Sequence, residues 1–214
     1  MTATLEEQGT AGTAGTAGAG RRQTTVATRL GEVTLVAQGE ALVGVYFAEH
    51  APAPDRSSFG VEVDADEDRT LRSAAEQLSE YVEGARDRFD LPLAPVGSER
   101  ARRVWELVAA VPRGETTTYA ALGRAVGVGP RAAGQFVARN PLSVVVPCHR
   151  VVASDGRLTG YAGGVDRKRL LLELEGALPE GATKVPRAER VAAPEEDLAE
   201  AGPEAAPHGA GEVG

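Results

Sequence analysis

The segment TYAALGRAVGVGPRAAGQFVARN, residues 118–140, decides the fold of the half of the chain that carries chemistry. Thr118 is a favoured N-cap residue ahead of a short apolar run that ends near Val126. Gly127-Val128-Gly129 forms a tight turn, and Pro130 suits the first position of a second helix running to about Ala138. Two short helices about a glycine turn make a helix-turn-helix pattern, the second helix being the one that enters a DNA groove in proteins built for it. Arg124, Arg131 and Arg139 lie on and beside this unit, and phosphate contacts need cations. The same geometry serves many proteins that never meet DNA, so the pattern alone leaves both readings open.

Immediately downstream, Ser143-Val144-Val145-Val146 reads as a β-like run leading into Pro147-Cys148-His149-Arg150-Val151-Val152. A strand that delivers cysteine and histidine in adjacent positions is a candidate nucleophile site, because the thiolate is the reactive form and needs a base or cation beside it. The alternative is an inert buried cysteine next to a strand-end histidine. Alternation points neighbouring strand side chains to opposite faces, so the pair can cooperate only across a turn or a water. Ser154-Asp155-Gly156-Arg157 then turns the chain into Leu158-Thr159-Gly160-Tyr161-Ala162-Gly163-Gly164. That glycine density either lets the backbone approach a ligand or marks a flexible loop, and Tyr161 offers a ring and a hydroxyl. A closing helix over 166–175 carries Leu170, Leu171, Leu172 and Leu174 and stops at Gly176. Glu175 in its last turn opposes the helix dipole at a cost of up to ~1 kcal/mol, which points to a use such as orienting His149.

Upstream of the deciding segment, Ser98 caps a helix that places Val104, Leu107, Val108 and Val111 on one face, ended by Pro112-Arg113-Gly114. Earlier still, apolar residues cluster around Gly31, Gly39 and Gly44 and predict three short strands near 24–29, 32–38 and 41–47. Residues 49–66 read as a loop. Leu71, Ala74, Ala75, Leu78 and Val82 predict a helix over 67–82, and Phe89, Leu91 and Leu93 alternate as a last strand. Nothing in this half reads as chemical, so its expected role is scaffold.

With 214 residues, the chain is long enough to bury a real core in one or two domains. Its single cysteine, Cys148, excludes an internal disulfide framework and a multi-cysteine metal site. The three histidines, His50, His149 and His208, are too scattered for a histidine-rich one. No apolar run approaches a membrane span, and no signal pattern opens the chain, so a cytoplasmic setting is expected. The formal charge of −8 argues at first against nucleic acid. By segment, however, residues 1–20 carry −2, residues 21–95 carry −6, residues 96–176 carry +5 and residues 177–214 carry −5. The acidic total hides a basic half around Cys148.

Taken in order, these residues resemble one family. Val146-Pro147-Cys148-His149-Arg150-Val151-Val152, Gly160-Tyr161-Ala162-Gly163-Gly164 and Glu175-Gly176 are similar to the O6-alkylguanine-DNA alkyltransferases, the methylated-DNA–protein-cysteine methyltransferases. Val104-Trp105-Glu106-Leu107, Pro112-Arg113-Gly114-Glu115-Thr116, Tyr119 and Arg139-Asn140-Pro141 fit the same family upstream, and Gln77-Leu78, Tyr81 and Phe89-Asp90-Leu91-Pro92-Leu93 fit it more loosely. The resemblance implies an α/β protein. A small N-terminal α/β domain over 23–95, an antiparallel sheet plus a helix of ribonuclease-H-like form, precedes a mainly helical winged helix-turn-helix alkyltransferase domain over 96–177. Disordered tails are expected over 1–22 and 178–214.

The function it implies is stoichiometric repair of DNA, the alkyl group of O6-alkylguanine passing to Cys148 after the base is flipped out of the duplex. In that scheme His149 draws the thiol proton through a water, and Glu175 holds the imidazole and favours its charged form. Asn140 braces the active-site turn, and Tyr119 crowds the flipped nucleotide and helps protonate the leaving guanine. Arg131 fills the vacated space. Tyr161 packs against the base, while the backbone of Val151 and Cys148, the amide of Ala162, and Gly163 and Gly164 approach it. Ala132 and Gly134 let the second helix enter the minor groove. The expected partner is double-stranded DNA bearing the lesion, bound by a monomer, with no cofactor, metal or membrane. The family pattern is departed from at Gln135-Phe136, where small residues are usual, in a shorter run from Tyr119 to Arg131, and at Ala162. Two other classes share these features: a Cys-His hydrolase that turns over repeatedly, and a lesion-binding protein that transfers nothing.

Overall fold

Glycines at Gly31 (φ 96°) and Gly39 (φ 58°) take backbone angles that L side chains resist, and they close the two turns of an antiparallel meander. Its strands are β1 (Arg21–Thr28), β2 (Gly31–Gln38) and β3 (Ala41–Phe47), with Val26 opposite Val33 and Leu35 opposite Val45. The structure, a computed structural model, describes residues 20–186. The expected first strand starts too late: pairing begins at Arg21 opposite Gln38, where the Arg21 guanidinium donates to the Gln38 side chain at 3.2 Å. A bulge between Val36 and Ala37 on one strand and Leu42 to Gly44 on the other lets Leu42 and Val45, three residues apart, both face the core. Within the expected loop 49–66, a short strand β4 (Val61–Glu62) pairs parallel to β1, giving the order β3-β2-β1-β4.

One face of the sheet, through Val33, Leu35, Ala37, Leu42, Val45 and Phe47, packs on α1 (Arg69–Val82). That helix starts at Arg69 because the Asp68 carboxylate caps it, accepting from the amides of Thr70 and Leu71 at 3.0 Å each. The helix expected from residue 67 is therefore shortened by its cap. It buries Leu71, Ala74, Leu78, Tyr81 and Val82. The last strand expected through Phe89, Leu91 and Leu93 does not form. Leu93 makes one isolated bridge to Leu42, because Pro92 and Pro95 remove the donors a ladder needs.

The helical half follows its caps closely. α2 (Glu99–Ala109) is capped by Ser98, α3 (Tyr119–Ala125) by Thr118, and α4 (Pro130–Ala138) opens on its proline. Gly123 lets the following turn lie on α3, since a Cβ there would stand 2.6 Å from the Val128 carbonyl oxygen. Trp105 Nε1 donates to the Phe136 carbonyl at 2.8 Å and ties α2 to α4. A two-stranded parallel sheet joins β5 (Thr117–Thr118) to β6 (Val151–Val152), and α5 (Val165–Leu174) closes the fold.

One buried cluster runs from Leu30 in the meander through Trp105, Leu122 and Cys148 to Leu171, so both halves share their core. The architecture is mixed sheet plus helices, α/β. The ordered chain also passes the expected end at residue 177. Leu178 and Val185 are buried against Val152, Leu172 and Ala177, and the Val185 amide donates to the Gly156 carbonyl at 2.9 Å. Residues 178–186 are therefore anchored through Leu178 and Val185, Arg21 and Arg22 of the expected first tail belong to β1, and the rest of both expected tails, 1–19 and 187–214, lies outside the described residues.

Candidate active site around Cys148

The run Ser143-Val144-Val145-Val146 is a tight turn, not the strand its composition predicts. Val144 sits at φ 71°, a left-handed conformation that a β-branched residue adopts only under constraint, and Ser143 bridges directly to Val146. Asn140 supplies the constraint. Its Oδ1 accepts from the Leu142 amide at 3.0 Å, and its Nδ2 donates to the Val146 carbonyl at 2.9 Å and to Cys148 Sγ at 3.2 Å. The bracing role expected of Asn140 has a direct geometry here. Past Pro147, Cys148–Arg150 forms a single 3-10 turn, so the strand alternation that separates adjacent side chains does not apply.

Cys148 and His149 are both buried, and the imidazole is fully enclosed. His149 Nε2 lies 2.6 Å from Glu175 Oε1, which leaves Nδ1 without a protein partner. The dipole cost expected at Glu175 is offset by Arg150, whose Nε donates to Oε2 at 2.8 Å and whose second nitrogen reaches Oε1 at 3.2 Å. Tyr81, from α1, donates to the same Oε1 and accepts from Arg150 at 3.0 Å. The N-terminal half, read as scaffold, thus places one side chain in this network. Neither Arg150 nor Tyr81 carries a role in the sequence reading. For Arg150 the available signal is adjacency to His149 in the presence of one carboxylate.

Burial works against charge on both reacting candidates. It pushes the Cys148 thiol above its ordinary value, opposed by the Asn140 hydrogen bond and the charge of Lys168. It also pulls His149 below its ordinary value, with Glu175 opposing. Glu175 does favour the charged imidazole, as expected of it, but enclosure of the ring, with the charges of Arg150 and Lys168 acting the same way, holds the His149 pKa below its ordinary value. Burial would raise the Glu175 carboxyl, but its contacts with His149 and Arg150 hold it well below the usual carboxylate range.

Lys168, also absent from the sequence reading, is fully buried. Its ammonium donates to the carbonyls of Val151 at 2.6 Å and Thr159 at 2.8 Å and lies 5.7 Å from the Tyr119 ring centroid. Burial brings its pKa down to about 8, with the Cys148 thiolate acting the other way. The signal for it is spacing: Lys168, Leu171, Leu172 and Glu175 share one buried helical face at i, i+3, i+4 and i+7.

The other expected residues gather beside this centre. Tyr119, Arg131, Gly134, Tyr161 and Ala162 line an open cleft of about 570 Å³, whose wall also includes Gly160. Cys148 does not line it, yet both tyrosines lie within electrostatic range of its sulfur. The Tyr119 hydroxyl donates to the carbonyls of Thr159 and Gly160, each at 3.0 Å, and burial pushes its pKa up to about 12. Tyr161 stands edge-on to His149 and Phe47, with its hydroxyl buried and unpartnered. Arg131 is exposed at the start of α4, Ala132 follows it half-buried, and a Cβ at Gly134 would meet only the Tyr119 ring at 3.6 Å.

Gly163 has a packing reason beside the expected one: any Cβ there would collide with the Phe47 ring. Gly164 holds φ 90° as the cap of α5. The Val151 carbonyl is occupied by Lys168 and keeps one lone pair for another donor. Arg167 fastens this loop to the N-terminal half, donating to Gly163 at 2.9 Å and pairing with Glu49 at 2.8 Å over the Phe47 ring. Of the departures noted, Gln135 is exposed and Phe136 packs against the core.

Residues 99–177 match the family model of the 6-O-methylguanine DNA methyltransferase DNA-binding domain. A methylated-DNA–protein-cysteine methyltransferase of Mycolicibacterium paratuberculosis is 37% identical over 153 residues, covering 71% of this chain and 90% of that protein. One of Methanosarcina barkeri is 46% identical over 107 residues, 49% of this chain and 68% of its own length. Among solved structures, the OGT of Mycobacterium tuberculosis in complex with DNA superposes with a TM-score of 0.65 at 32% identity, covering 72% of this chain and 92% of that one.

Proposed function

The chain belongs to the methylated-DNA–protein-cysteine methyltransferases, and from that premise we propose how its own residues carry out the transfer. It repairs DNA by moving an alkyl group from O6-alkylguanine directly to a protein cysteine, and Cys148 is the acceptor. The observation that carries this assignment is the setting of the chain's one cysteine: its sulfur is held by Asn140 on a braced turn, next to an imidazole fixed by Glu175.

The thiol proton passes through one water to His149 Nδ1, the ring nitrogen left unpartnered by the Glu175 contact. The sulfur lone pair then forms the S–C bond as the C–O6 bond breaks, and the electron pair returns to the guanine. Tyr119, whose hydroxyl keeps its proton at neutral pH, donates toward the leaving base. Tyr161 and the amide of Ala162 flank the base in the cleft. The Cys148 backbone and the free lone pair of Val151 read its edge, and Gly163 and Gly164 give the loop its close approach. Arg131 enters the stack in place of the flipped nucleotide, and Ala132 and Gly134 face the minor groove. A thioether is a poor leaving group, so nothing in this site regenerates Cys148, and each chain acts once.

The finer architecture proposed is a ribonuclease-H-like N-terminal domain over 23–95 and a winged helix-turn-helix domain over 96–177, acting as a cytoplasmic monomer without a cofactor. The test is mass spectrometry of the Cys148 peptide after incubation with duplex DNA holding one O6-methylguanine. One added methyl group per chain, with guanine restored in the DNA, is the expected result. An unmodified Cys148 in folded protein, or repeated turnover without adduct, overturns it.

A further inference from the structure

Beside the Cys148 sulfur lies a hydroxyl to which the mechanism above gives no part. Ser143 is fully buried, and its Oγ has no hydrogen-bond partner. Its main chain is fixed on both sides: the Ser143 amide donates to the Val45 carbonyl at 3.3 Å, and its carbonyl accepts from Val145 at 2.9 Å. The side chain sits on the Asn140-braced turn that carries the sulfur, near enough to act on both the Cys148 thiol and the Tyr161 hydroxyl. An enclosed hydroxyl without a partner is costly, and a catalytic role is one of the reasons a folded protein keeps one. A hydroxyl hydrogen is free to rotate, so Ser143 needs only an acceptor.

Deprotonation of Cys148 creates that acceptor. The thiolate forms in a site closed to bulk solvent, where Asn140 Nδ2 is the protein hydrogen bond already in place at 3.2 Å. Lys168 offers charge from a distance, its ammonium hydrogens being committed to the carbonyls of Val151 and Thr159. We propose that Ser143 is a positioning residue of the transfer reaction: its hydroxyl donates a second hydrogen bond to the Cys148 sulfur when the thiol gives up its proton.

The consequence has a definite signature. A donor to the thiolate raises the thiolate fraction at neutral pH, but it also holds the lone pair that must attack carbon. The neutral thioether formed by transfer is a weak acceptor, so the Ser143 bond is strongest before the S–C bond forms. Removing the hydroxyl therefore lowers the rate at neutral pH and ceases to do so once the thiol is fully ionised.

This inference rests on the alkyl-transfer reading, and the experiment separates the two. Cys148 is the only cysteine, so the thiolate absorbance of the folded full-length protein titrates it alone. In Ser143→Ala the apparent thiol pKa is expected to rise, with roughly tenfold less thiolate at neutral pH. Transfer from O6-methylguanine duplex should slow by a similar factor at pH 7 and converge with the unsubstituted protein at high pH, with DNA affinity unchanged. Ser143→Thr, which keeps the hydroxyl, should restore the titration. A Ser143→Ala protein with an unshifted thiol titration and a parallel pH–rate profile overturns the proposal. A shifted titration in a protein that never transfers alkyl groups would instead overturn the functional reading and leave the Ser143 hydrogen bond standing.

Discussion

Glu175 Oε1 lies 2.6 Å from His149 Nε2, and the whole carboxylate is shared with the very next residue, Arg150, at 2.8 Å. One acid thus fixes the imidazole and neutralises a buried guanidinium at once. Removing the carboxylate leaves Arg150 enclosed without its counter-charge, a situation that costs about 3–5 kcal/mol in folded proteins. Glu175→Gln is expected to melt well below the unsubstituted protein. Where it still folds, it should transfer alkyl groups about a hundredfold more slowly, the scale of a lost general base. Thermal melting and single-turnover kinetics on the same preparation check both parts.

Tyr81 offers a way to separate the two duties. Its hydroxyl donates to Glu175 and accepts from Arg150, but it touches neither His149 nor Cys148 among the described contacts. Tyr81→Phe should therefore cost about 1–2 kcal/mol of stability, the penalty of an unmet buried hydrogen bond. Its transfer rate should stay within a few-fold of the unsubstituted protein. A rate loss as large as that of Glu175→Gln would mean that the tyrosine is part of the proton path.

The pH dependence of transfer follows from the directions of two shifts. Burial holds the Cys148 thiol above its ordinary value and His149 below its own, so both groups are neutral near pH 7. The reactive thiolate–imidazolium pair carries the same number of protons as that resting pair, so its population is independent of pH between the two values. The rate should be flat across neutral pH and fall only when acid protonates His149 beforehand, below the usual histidine range. A rate that rises tenfold per unit from pH 6 to 8 would show that the proton leaves to solvent and not to His149.

Arg131 is exposed at the entrance of α4 and lines the cleft with Tyr119 and Tyr161. Its proposed role exists only when a base leaves a stack. Arg131→Ala should impair repair of O6-methylguanine in duplex DNA by tenfold or more, at an unstacking cost on the order of a few kcal/mol. Reaction with the free O6-alkylguanine base should change little. Equal losses with both substrates would remove the flipping role.

How far the sequence reaches is clear from particular residues. Caps and punctuators were legible: Ser98, Thr118, Gly127-Val128-Gly129 and Pro130 act locally, and each stands where its chemistry predicts. The Cys148–His149–Glu175 assembly was legible through the motif, although the two ends are 26 residues or more apart in sequence. What composition concealed is tertiary. Ser143-Val144-Val145-Val146 has strand composition, yet the Asn140 side chain takes the hydrogen bonds a ladder would have used and forces Val144 to φ 71°. Tyr81, Arg150 and Lys168 are ordinary residues in sequence, and only packing from three separate elements turns them toward Glu175 and the substrate loop. The net direction of the His149 shift is hidden for the same reason, because burial is not written in a motif.

His50 supplies a prediction away from the chemistry. It is buried, with Nδ1 unpartnered, edge-on to Tyr46 at 5.1 Å, and burial together with the Arg56 charge brings its pKa down to about 4. Its folded value therefore lies below its ordinary one of 6.5. The unfolded chain takes up the proton first as acid is added. Stability from this neutral histidine is complete above pH 6.5 and drains away as pH falls toward 4, by roughly 3 kcal/mol at most. His149, shifted the same way, adds to the loss as pH falls below the usual histidine range, and Glu175 adds to it below the usual carboxylate range. His50→Phe keeps the aromatic contact and removes the proton site. Denaturant unfolding at pH 7.5, 6, 5 and 4.5 should show a shallower acid loss for the variant. Parallel curves would mean that the ring finds a proton acceptor when charged and carries no acid sensitivity of its own.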